Sequence, residues 1–81
     1  MTYIWPESAR AELRAIEQET AIRILRALDR YGESGEGDVR ALTGQWQGYF
    51  RIRVGDYRVL FVVTSEEITI VRVRHRSDVY R

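Results

Sequence analysis

The sequence predicts an α+β domain in which a helical hairpin packs on one face of a mainly antiparallel sheet. Apolar residues recur at helical spacing in the first half of the chain, and short runs with period-two alternation fill the second half. The pair Gly55-Asp56 joins two of those runs as a two-residue hairpin turn. Helices followed by consecutive strands are typical of α+β folds, so the expected order is β-α-α-β-β-β.

The N-terminal half is expected to hold a short strand and two helices. Thr2–Trp5 is interpreted as the strand, and Pro6 with Glu7 suits the first turn of the first helix. The break near Gln18–Thr20 is short, so the helices are expected to pair antiparallel, and Gly32 to end the second. Their inward-facing positions are Ala9, Leu13 and Ile16, then Ala21, Ile24, Leu25, Leu28 and Tyr31.

The C-terminal half is expected to form the sheet after a loop at 33–38. Val39–Leu42 is interpreted as a short extended piece and Thr43–Gln47 as a turn. A second turn is expected over Thr64–Glu67. The β-rich runs are Tyr49–Val54, Tyr57–Thr64 and Ile68–Arg74.

The hairpin turn fixes which side chains share a face. It pairs Val54 with Tyr57 and Arg53 with Arg58, and alternation along each strand then defines two faces. The apolar face, expected to cover the core, collects Phe50, Ile52, Val54, Tyr57, Val59, Phe61 and Val63. The opposite face, called the arginine face below, collects Tyr49, Arg51, Arg53, Arg58, Leu60 and Val62.

The arginine face is interpreted as a surface that holds a nucleic-acid phosphate backbone. Arg53 directly opposite Arg58 is unfavourable unless an anion is bound between them, because like charges in a cross-strand pair destabilise a sheet. The alternative is that these arginines are solvated and neutralised by nearby acids, for which the candidates are Asp38, Asp56 and Asp78.

Two features of this face stay open at the level of sequence. Leu60 and Val62 could be covered by a protein partner or by the C-terminal segment. If the loop of the second turn has an even number of residues, alternation along the strand places Val71 and Val73 on the arginine face. The same alternation directs Arg72 and Arg74 into the core. A β-bulge, or a strand end beyond the helices, is therefore expected there.

Charge is divided unevenly along the chain. Residues 1–40 carry six Arg against eight Asp and Glu, a net of −2, whereas residues 41–81 carry seven Arg against four acids, a net of +3. Every basic side chain apart from His75 is Arg, whose planar fork suits phosphate and does not readily lose its proton. A basic C-terminal half favours a polyanionic partner.

Composition excludes several classes of protein. The chain has 81 residues and no cysteine, so a disulfide framework and thiolate metal sites are excluded, and no cofactor or metal is expected. The sequence shows no bilayer-length apolar run and no basic-then-apolar leader pattern, which leads us to expect a cytoplasmic protein of one domain over residues 1–81.

The last ten residues combine positive charge with two rings. Arg can hold phosphate, and Tyr80 or His75 could stack on an unstacked base. His75 is the single histidine, and its reference pKa lies near neutrality, so it is a candidate acid or base. A structural or solvated role for either ring stays open. The arginines of this C-terminal segment are Arg72, Arg74, Arg76 and Arg81.

Two strings of the sequence resemble the RelE/ParE toxin superfamily of toxin–antitoxin systems. They are Gly48-Tyr49-Phe50-Arg51-Ile52-Arg53-Val54-Gly55-Asp56-Tyr57-Arg58-Val59-Leu60 and Val73-Arg74-His75-Arg76-Ser77-Asp78-Val79-Tyr80. Leu42-Thr43-Gly44, the N-terminal strand and the helical hairpin fit as well, so the resemblance covers essentially the whole chain. The ending His-Arg-x-x-x-Tyr is more similar to the RelE branch than to the gyrase-poisoning ParE branch.

The resemblance implies a ribosome-dependent endoribonuclease that cuts mRNA in the A site and is neutralised by a cognate antitoxin. In that chemistry a ribose 2′-OH attacks the adjacent phosphate. By motif position, Arg51 and Arg53 match a basic pair, Arg58 matches the Arg of the Tyr-Arg signature, Arg74 or else Arg76 matches a basic residue at the end of the last strand, and Tyr80 matches the C-terminal Tyr. With His75 added as a candidate base or acid, the resemblance leads us to expect catalytic roles for Arg58, Tyr80, Arg53 and Arg74. It implies RNA contacts by Arg51, Arg53, Arg58, Arg74, Arg76 and Arg81.

One departure from the family pattern bears on the mechanism. The basic pair on the first long strand is Lys in well-known members and is Arg51 and Arg53 here. Because a guanidinium stays protonated, it is a poor general base but stabilises a charged phosphate well. Either His75 supplies acid–base catalysis, or activation is mainly electrostatic with help from the ribosome. Two further alternatives are a gyrase inhibitor of ParE type and an inactive relative that only binds RNA or antitoxin.

Overall fold

The computed structural model describes all residues, 1–81, as two helices on a five-stranded sheet. The N-terminal half holds β1 (Thr2–Ile4), α1 (Glu7–Arg14) and α2 (Gln18–Ser34). The C-terminal half holds β2 (Val39–Ala41), a 3₁₀ turn (Gly44–Trp46), β3 (Phe50–Val54), β4 (Tyr57–Thr64) and β5 (Glu67–His75). The predicted α+β class is confirmed, and the short extended piece is a paired strand of its own.

The sheet has the order β1-β5-β4-β3-β2 and is antiparallel except where β1 runs parallel to β5. The register around Gly55-Asp56 is the predicted one, with Val54 opposite Tyr57 and Arg53 opposite Arg58. The N-terminal strand and the last strand therefore meet, although they are the most distant strands in sequence.

The core lies between the two helices and the predicted apolar face. Burial of apolar side chains there is the main stabilising contribution to the fold. Around it pack half-buried side chains that include Tyr3, Trp5 and Leu13. Its fully buried members are Ala9, Ile24, Leu28, Ile52, Val59, Phe61, Ile68, Ile70 and Val73.

The second helix is capped at both ends, by a side chain at its start and by a left-handed glycine at its end. The Glu17 carboxylate accepts hydrogen bonds from the amides of Glu19 and Thr20, at 3.1 and 3.2 Å, which satisfies two of the unpaired donors at its start. The prediction that Gly32 ends this helix is wrong. The helix ends at Gly35, whose left-handed φ of 77° is the conformation that stops a helix.

Gly32 has a packing role inside the helix. A Cβ at this position would lie 3.2 Å from the Tyr3 ring, and the Tyr3 hydroxyl donates to the Leu28 carbonyl one turn earlier. Glycine therefore lets β1 approach α2 closely. Glycine in a helical pattern does not by itself distinguish a helix stop from a close approach, because the absence of a side chain favours both.

The expected β-bulge is present in β5. Leu60 pairs with Arg72 and Phe61 pairs with Ile70, so Val71 is the extra residue. The bulge shifts the alternation by one residue and returns Arg72 and Arg74 to the arginine face. Val73 consequently turns into the core, where it is 2% exposed, and the prediction that an even loop would place it on the arginine face is wrong.

The C-terminal segment covers part of the arginine face. Leu60 and Val79 are both fully buried, yet neither belongs to the core beneath the helices. Arg72, the neighbour of Leu60, donates a 2.7 Å hydrogen bond to the Val79 carbonyl. Of the two occupants left open by the sequence, the chain's own C-terminal segment is the one that buries Leu60.

No helix of the fold has the length and apolarity needed to cross a bilayer.

Candidate nucleic-acid interface

Arginines form two cross-strand rows on the arginine face. Cross-strand neighbours lie about 4.5–5.5 Å apart at Cβ, so each row concentrates positive charge. One row crosses β3, β4 and β5 as Arg53, Arg58 and Arg74. The other crosses all four antiparallel strands as Arg40, Arg51, Leu60 and Arg72. The register of the hairpin predicted three of these arginines, and the bulge and β2 bring in the others.

Three of the arginines assigned to RNA binding have carboxylate partners. Arg74 Nε lies 2.6 Å from Glu12 of α1, and Arg76 lies 3.7 Å from Asp56. The Arg51 guanidinium contacts Asp38 through the backbone carbonyl at 2.9 Å and the carboxylate at 3.3 Å. Nearby acids therefore neutralise part of the arginine face, as the solvated alternative expected.

The contact with Asp38 holds the Arg51 guanidinium in one position. Its side chain is only 13% exposed, and Asp38 holds it from the loop before β2. The same Asp38 carbonyl accepts a 3.0 Å hydrogen bond from the Arg53 amide. Asp38 thus holds Arg51 and Arg53, the members of the two rows that lie on β3.

Arg58 and Arg53 have no carboxylate within ion-pair distance. The Arg58 guanidinium donates 3.0 Å hydrogen bonds only to backbone carbonyls, those of Gly55 and Tyr57. Partial burial lowers the pKa of Arg58, and repulsion from Arg53 and then Arg51 lowers it further. A half-buried guanidinium surrounded by like charge is stabilised by an anion, which makes this pair the centre of the site.

Tyr80 lies at the rim of this centre. Its interaction with Arg58 raises the pKa of that guanidinium, opposing the effect of the neighbouring arginines. The Tyr80 ring sits edge-on to Trp46 with centroids 6.2 Å apart, and the residue stays 43% exposed. An exposed ring beside an uncompensated arginine pair can contact both a base and its phosphate.

Trp46 anchors the C-terminal segment, a role that the sequence pattern does not predict. The Arg72 guanidinium lies 4.8 Å from the centroid of its ring, a cation–π contact, and also donates to the Arg81 carbonyl at 2.6 Å. Arg81 is thereby held through its backbone, with its residue exposed. A tryptophan in a turn has no periodicity to reveal its partners, so only the fold identifies this role.

His75 is not brought to the arginine pair. It pairs with Tyr57, which packs against the core, so both residues lie on the helix side of the sheet. Their rings meet edge to face, with the ring centroids 5.6 Å apart. Its Nδ1 accepts a 3.1 Å hydrogen bond from the Ser77 amide. The hypothesis that His75 acts beside Arg58 lacks geometric support, because one strand position separates opposite faces of a sheet.

Comparison with known proteins identifies the fold. The chain matches the RelB–RelE antitoxin–toxin complex of Methanococcus jannaschii with a TM-score of 0.77 and 25% identity, covering 95% of this chain and 94% of that one. It matches the RelBE2 complex of Mycobacterium tuberculosis with a TM-score of 0.76 and 25% identity, covering 93% and 96%. The fold is that of RelE-type toxins.

Sequence comparison gives the family. Residues 3–80 match the model described as the ParE toxin of the type II toxin–antitoxin system parDE. Toxin RelE3 of Methanocaldococcus jannaschii is 40% identical over 43 residues, which is 53% of this chain and 48% of that protein. The chain therefore belongs to the ParE toxin family of type II toxin–antitoxin systems, within the RelE/ParE superfamily that its motifs resemble.

Proposed function

We propose that this toxin is an endoribonuclease that cuts mRNA in the ribosomal A site and is neutralised by a cognate antitoxin. The observation that carries the proposal is the Arg53–Arg58 pair, two arginines at directly opposed strand positions, neither of which has a carboxylate partner. Such a pair suits the pentacoordinate phosphate formed when a ribose 2′-OH attacks the neighbouring phosphate. It needs no metal and no cofactor for charge stabilisation.

In the proposed reaction the 2′-oxygen forms a bond to phosphorus and the bond from phosphorus to the 5′-oxygen breaks. The products are a 2′,3′-cyclic phosphate and a 5′-OH, which receives the proton lost by the 2′-OH. Arg53 and Arg58 bind the non-bridging oxygens, and Tyr80 orients the substrate. Arg51, Arg74 and Arg76, whose charges are partly compensated, bind flanking RNA together with Arg81.

Activation in this proposal is mainly electrostatic. Guanidiniums do not accept the 2′ proton, and His75 lies on the helix side of the sheet with Nδ1 engaged by Ser77. Proton transfer is therefore assigned to groups of the ribosome or mRNA, or to solvent.

An A-site cleavage assay with programmed ribosomes tests the assignment. Arg58→Ala is expected to lower the cleavage rate by about 100- to 1,000-fold, the loss typical of removing one donor to a developing oxyanion. His75→Ala is expected to stay within a few-fold of the parent toxin. Arg14→Ala, an exposed arginine on α1, is the matched control. Full activity of Arg58→Ala would refute the site.

The second candidate function is inhibition of DNA gyrase, the activity that the resemblance associates with the ParE branch, and the match to the ParE toxin family model favours it. Induced expression of the toxin in cells distinguishes the two functions. Mapping mRNA 5′ ends should show new ends at translated codons if the nuclease proposal is right. Filamentation and a DNA-damage response with intact mRNA, together with inhibition of purified gyrase in a supercoiling assay, would favour the ParE activity instead.

A further inference from the structure

We propose that the groove between α2, the loop before β2 and the end of β3 is a second phosphate-binding surface, which holds the RNA strand where it leaves the arginine face. The inference rests on the proposed function, since it extends the footprint of the same RNA. The groove encloses about 380 Å³. Its charged lining consists of Arg23, Arg26, Arg30, Arg53, Glu36 and Asp38.

Three arginines of α2 line this groove, at spacings of three and four residues. Positions with this spacing share one helix face, and Arg23 to Arg30 spans about 10 Å at 1.5 Å per residue. None of the three forms an ion pair, although acids such as Asp29 and Glu33 lie on the same helix. A helix that leaves three adjacent guanidiniums uncompensated concentrates positive charge where an anion can reach it.

The acids of the groove are already engaged. Asp38 pairs with Arg51, and the Glu36 carboxylate accepts a 3.1 Å hydrogen bond from the Ser34 hydroxyl. The four arginines therefore keep a positive surplus over the two acids. A mobile polyanion is the ligand that this surplus favours.

The groove is continuous with the arginine face around the β3–β4 turn. Arg53 lines the groove and is also paired with Arg58 on the face. A Cβ added to Gly55 would lie 3.6 Å from the Arg23 guanidinium, while Arg58 donates to the Gly55 carbonyl at 3.0 Å. Guanidiniums from the helix and from the sheet thus flank the same turn residue, and a strand bound at one continues to the other.

The lining favours an RNA backbone over an acidic peptide. Its three apolar members, Ala27, Ile52 and Val54, offer no aromatic anchor of the kind that protein interfaces bury. Apolar anchors lie elsewhere, in a groove of about 430 Å³ between β1 and the helices that is lined by Tyr3, Trp5, Arg10, Leu13 and Leu25. The chemistry suited to a protein partner and the chemistry suited to phosphate are therefore on different surfaces.

The test measures RNA binding by the whole chain, without cleavage, as a function of salt. Arg23→Gln with Arg26→Gln is compared with Arg10→Gln with Arg14→Gln, a control that removes the same charge from α1. The probes are a trinucleotide with a non-cleavable 2′-O-methyl backbone, which covers only the arginine face, and a longer strand of the same chemistry. Binding is followed by fluorescence anisotropy.

For the longer strand, the slope of log affinity against log salt is expected to fall by about 1.4 in the α2 variant, at ~0.7 per lost phosphate contact. The slope of the α1 control variant with the longer strand should equal that of the parent toxin. With the trinucleotide, the slope should be the same for the parent toxin and both double variants. An equal fall in both double variants, or no fall in the α2 variant, overturns the inference. So does loss of binding to an acidic peptide with RNA affinity intact, which would make the groove a protein site.

The outcomes also separate this inference from the proposed function. If the longer strand loses affinity only in the α2 variant but programmed ribosomes are not cut by the parent toxin, the groove stands and the nuclease proposal fails. If the parent toxin cuts mRNA and the α2 variant binds RNA as the parent does, the groove inference alone fails.

Discussion

The carboxylate of Glu12 on α1 accepts a 2.8 Å hydrogen bond from the backbone amide of Val73 on β5. The second oxygen of that carboxylate lies 2.6 Å from Arg74 Nε. One side chain therefore accepts a hydrogen bond from the backbone next to the bulge and holds Arg74, an arginine of the arginine face, in place. This contact, across 61 residues of sequence, ties the helical hairpin to the sheet where the register shifts.

Glu12→Ala is expected to lower the free energy of unfolding by about 1–3 kcal/mol, because a partly buried backbone donor and a guanidinium both lose their acceptor. Glu12→Gln should lose less, since the amide oxygen can still accept from Val73. Urea unfolding measures both. Glu19→Ala, an exposed acid on α2, is the control, and equal losses in Glu12→Ala and the control would contradict the role given to this contact.

Arg53→Gln is expected to raise the free energy of unfolding by up to ~1 kcal/mol, because it removes a like charge directly opposite Arg58. Arg40→Gln is the matched control, since Arg40 faces Arg51, whose charge Asp38 already compensates. Thermal unfolding in low salt measures the difference. Added inorganic phosphate should stabilise the parent toxin more than Arg53→Gln, and equal stabilisation would count against an anion site at this pair.

Val79→Ala is expected to lower the free energy of unfolding by about 1–3 kcal/mol, because it leaves a cavity beside Leu60 on the arginine face. The control is Val63→Ala at a position that is 37% exposed, where the loss should be smaller. Urea unfolding followed by circular dichroism measures the stability of both variants. A smaller loss at Val79 than at Val63 would show that the C-terminal segment does not seal this face.

Alkaline pH is expected to destabilise the protein through Tyr3. Burial, followed by the charges of Tyr31 and Asp29, raises the pKa of Tyr3 from 10.0 to about 12. Between those values the unfolded chain loses the phenolic proton while the folded protein keeps it, so stability present below pH 10 declines as pH rises towards 12.

Tyr3→Phe should remove this part of the decline, and at neutral pH it should be less stable because the hydrogen bond to the Leu28 carbonyl is lost. Urea unfolding at a series of pH values measures both effects. Tyr80→Phe, at an exposed ring, should keep the decline of the parent toxin. An unchanged alkaline decline in Tyr3→Phe would rule out Tyr3 as its source.

Local rules predicted much of this protein. A two-residue turn admits one register, so Gly55-Asp56 alone predicted that Arg53 faces Arg58 and that the faces divide into apolar and basic. The cost of burying the charges of Arg72 and Arg74 in a core predicted either a β-bulge or a strand end beyond the helices, and the structure has the bulge in β5. The helices followed from apolar periodicity, since each must bury one face.

What the tertiary structure decided depends on contacts between residues distant in sequence. Pattern alone could not show that Gly32 accommodates Tyr3, or that Asp38 and Glu12 hold Arg51 and Arg74. Nor could it show that Leu60 and Val79 are both fully buried outside the core beneath the helices. The sequence by itself determined which side chains share a face, because alternation is a local property of a strand. The fold decided which arginines keep their charge for a ligand, because neutralisation depends on acids supplied by other elements, and that leaves Arg53 and Arg58 as the uncompensated pair.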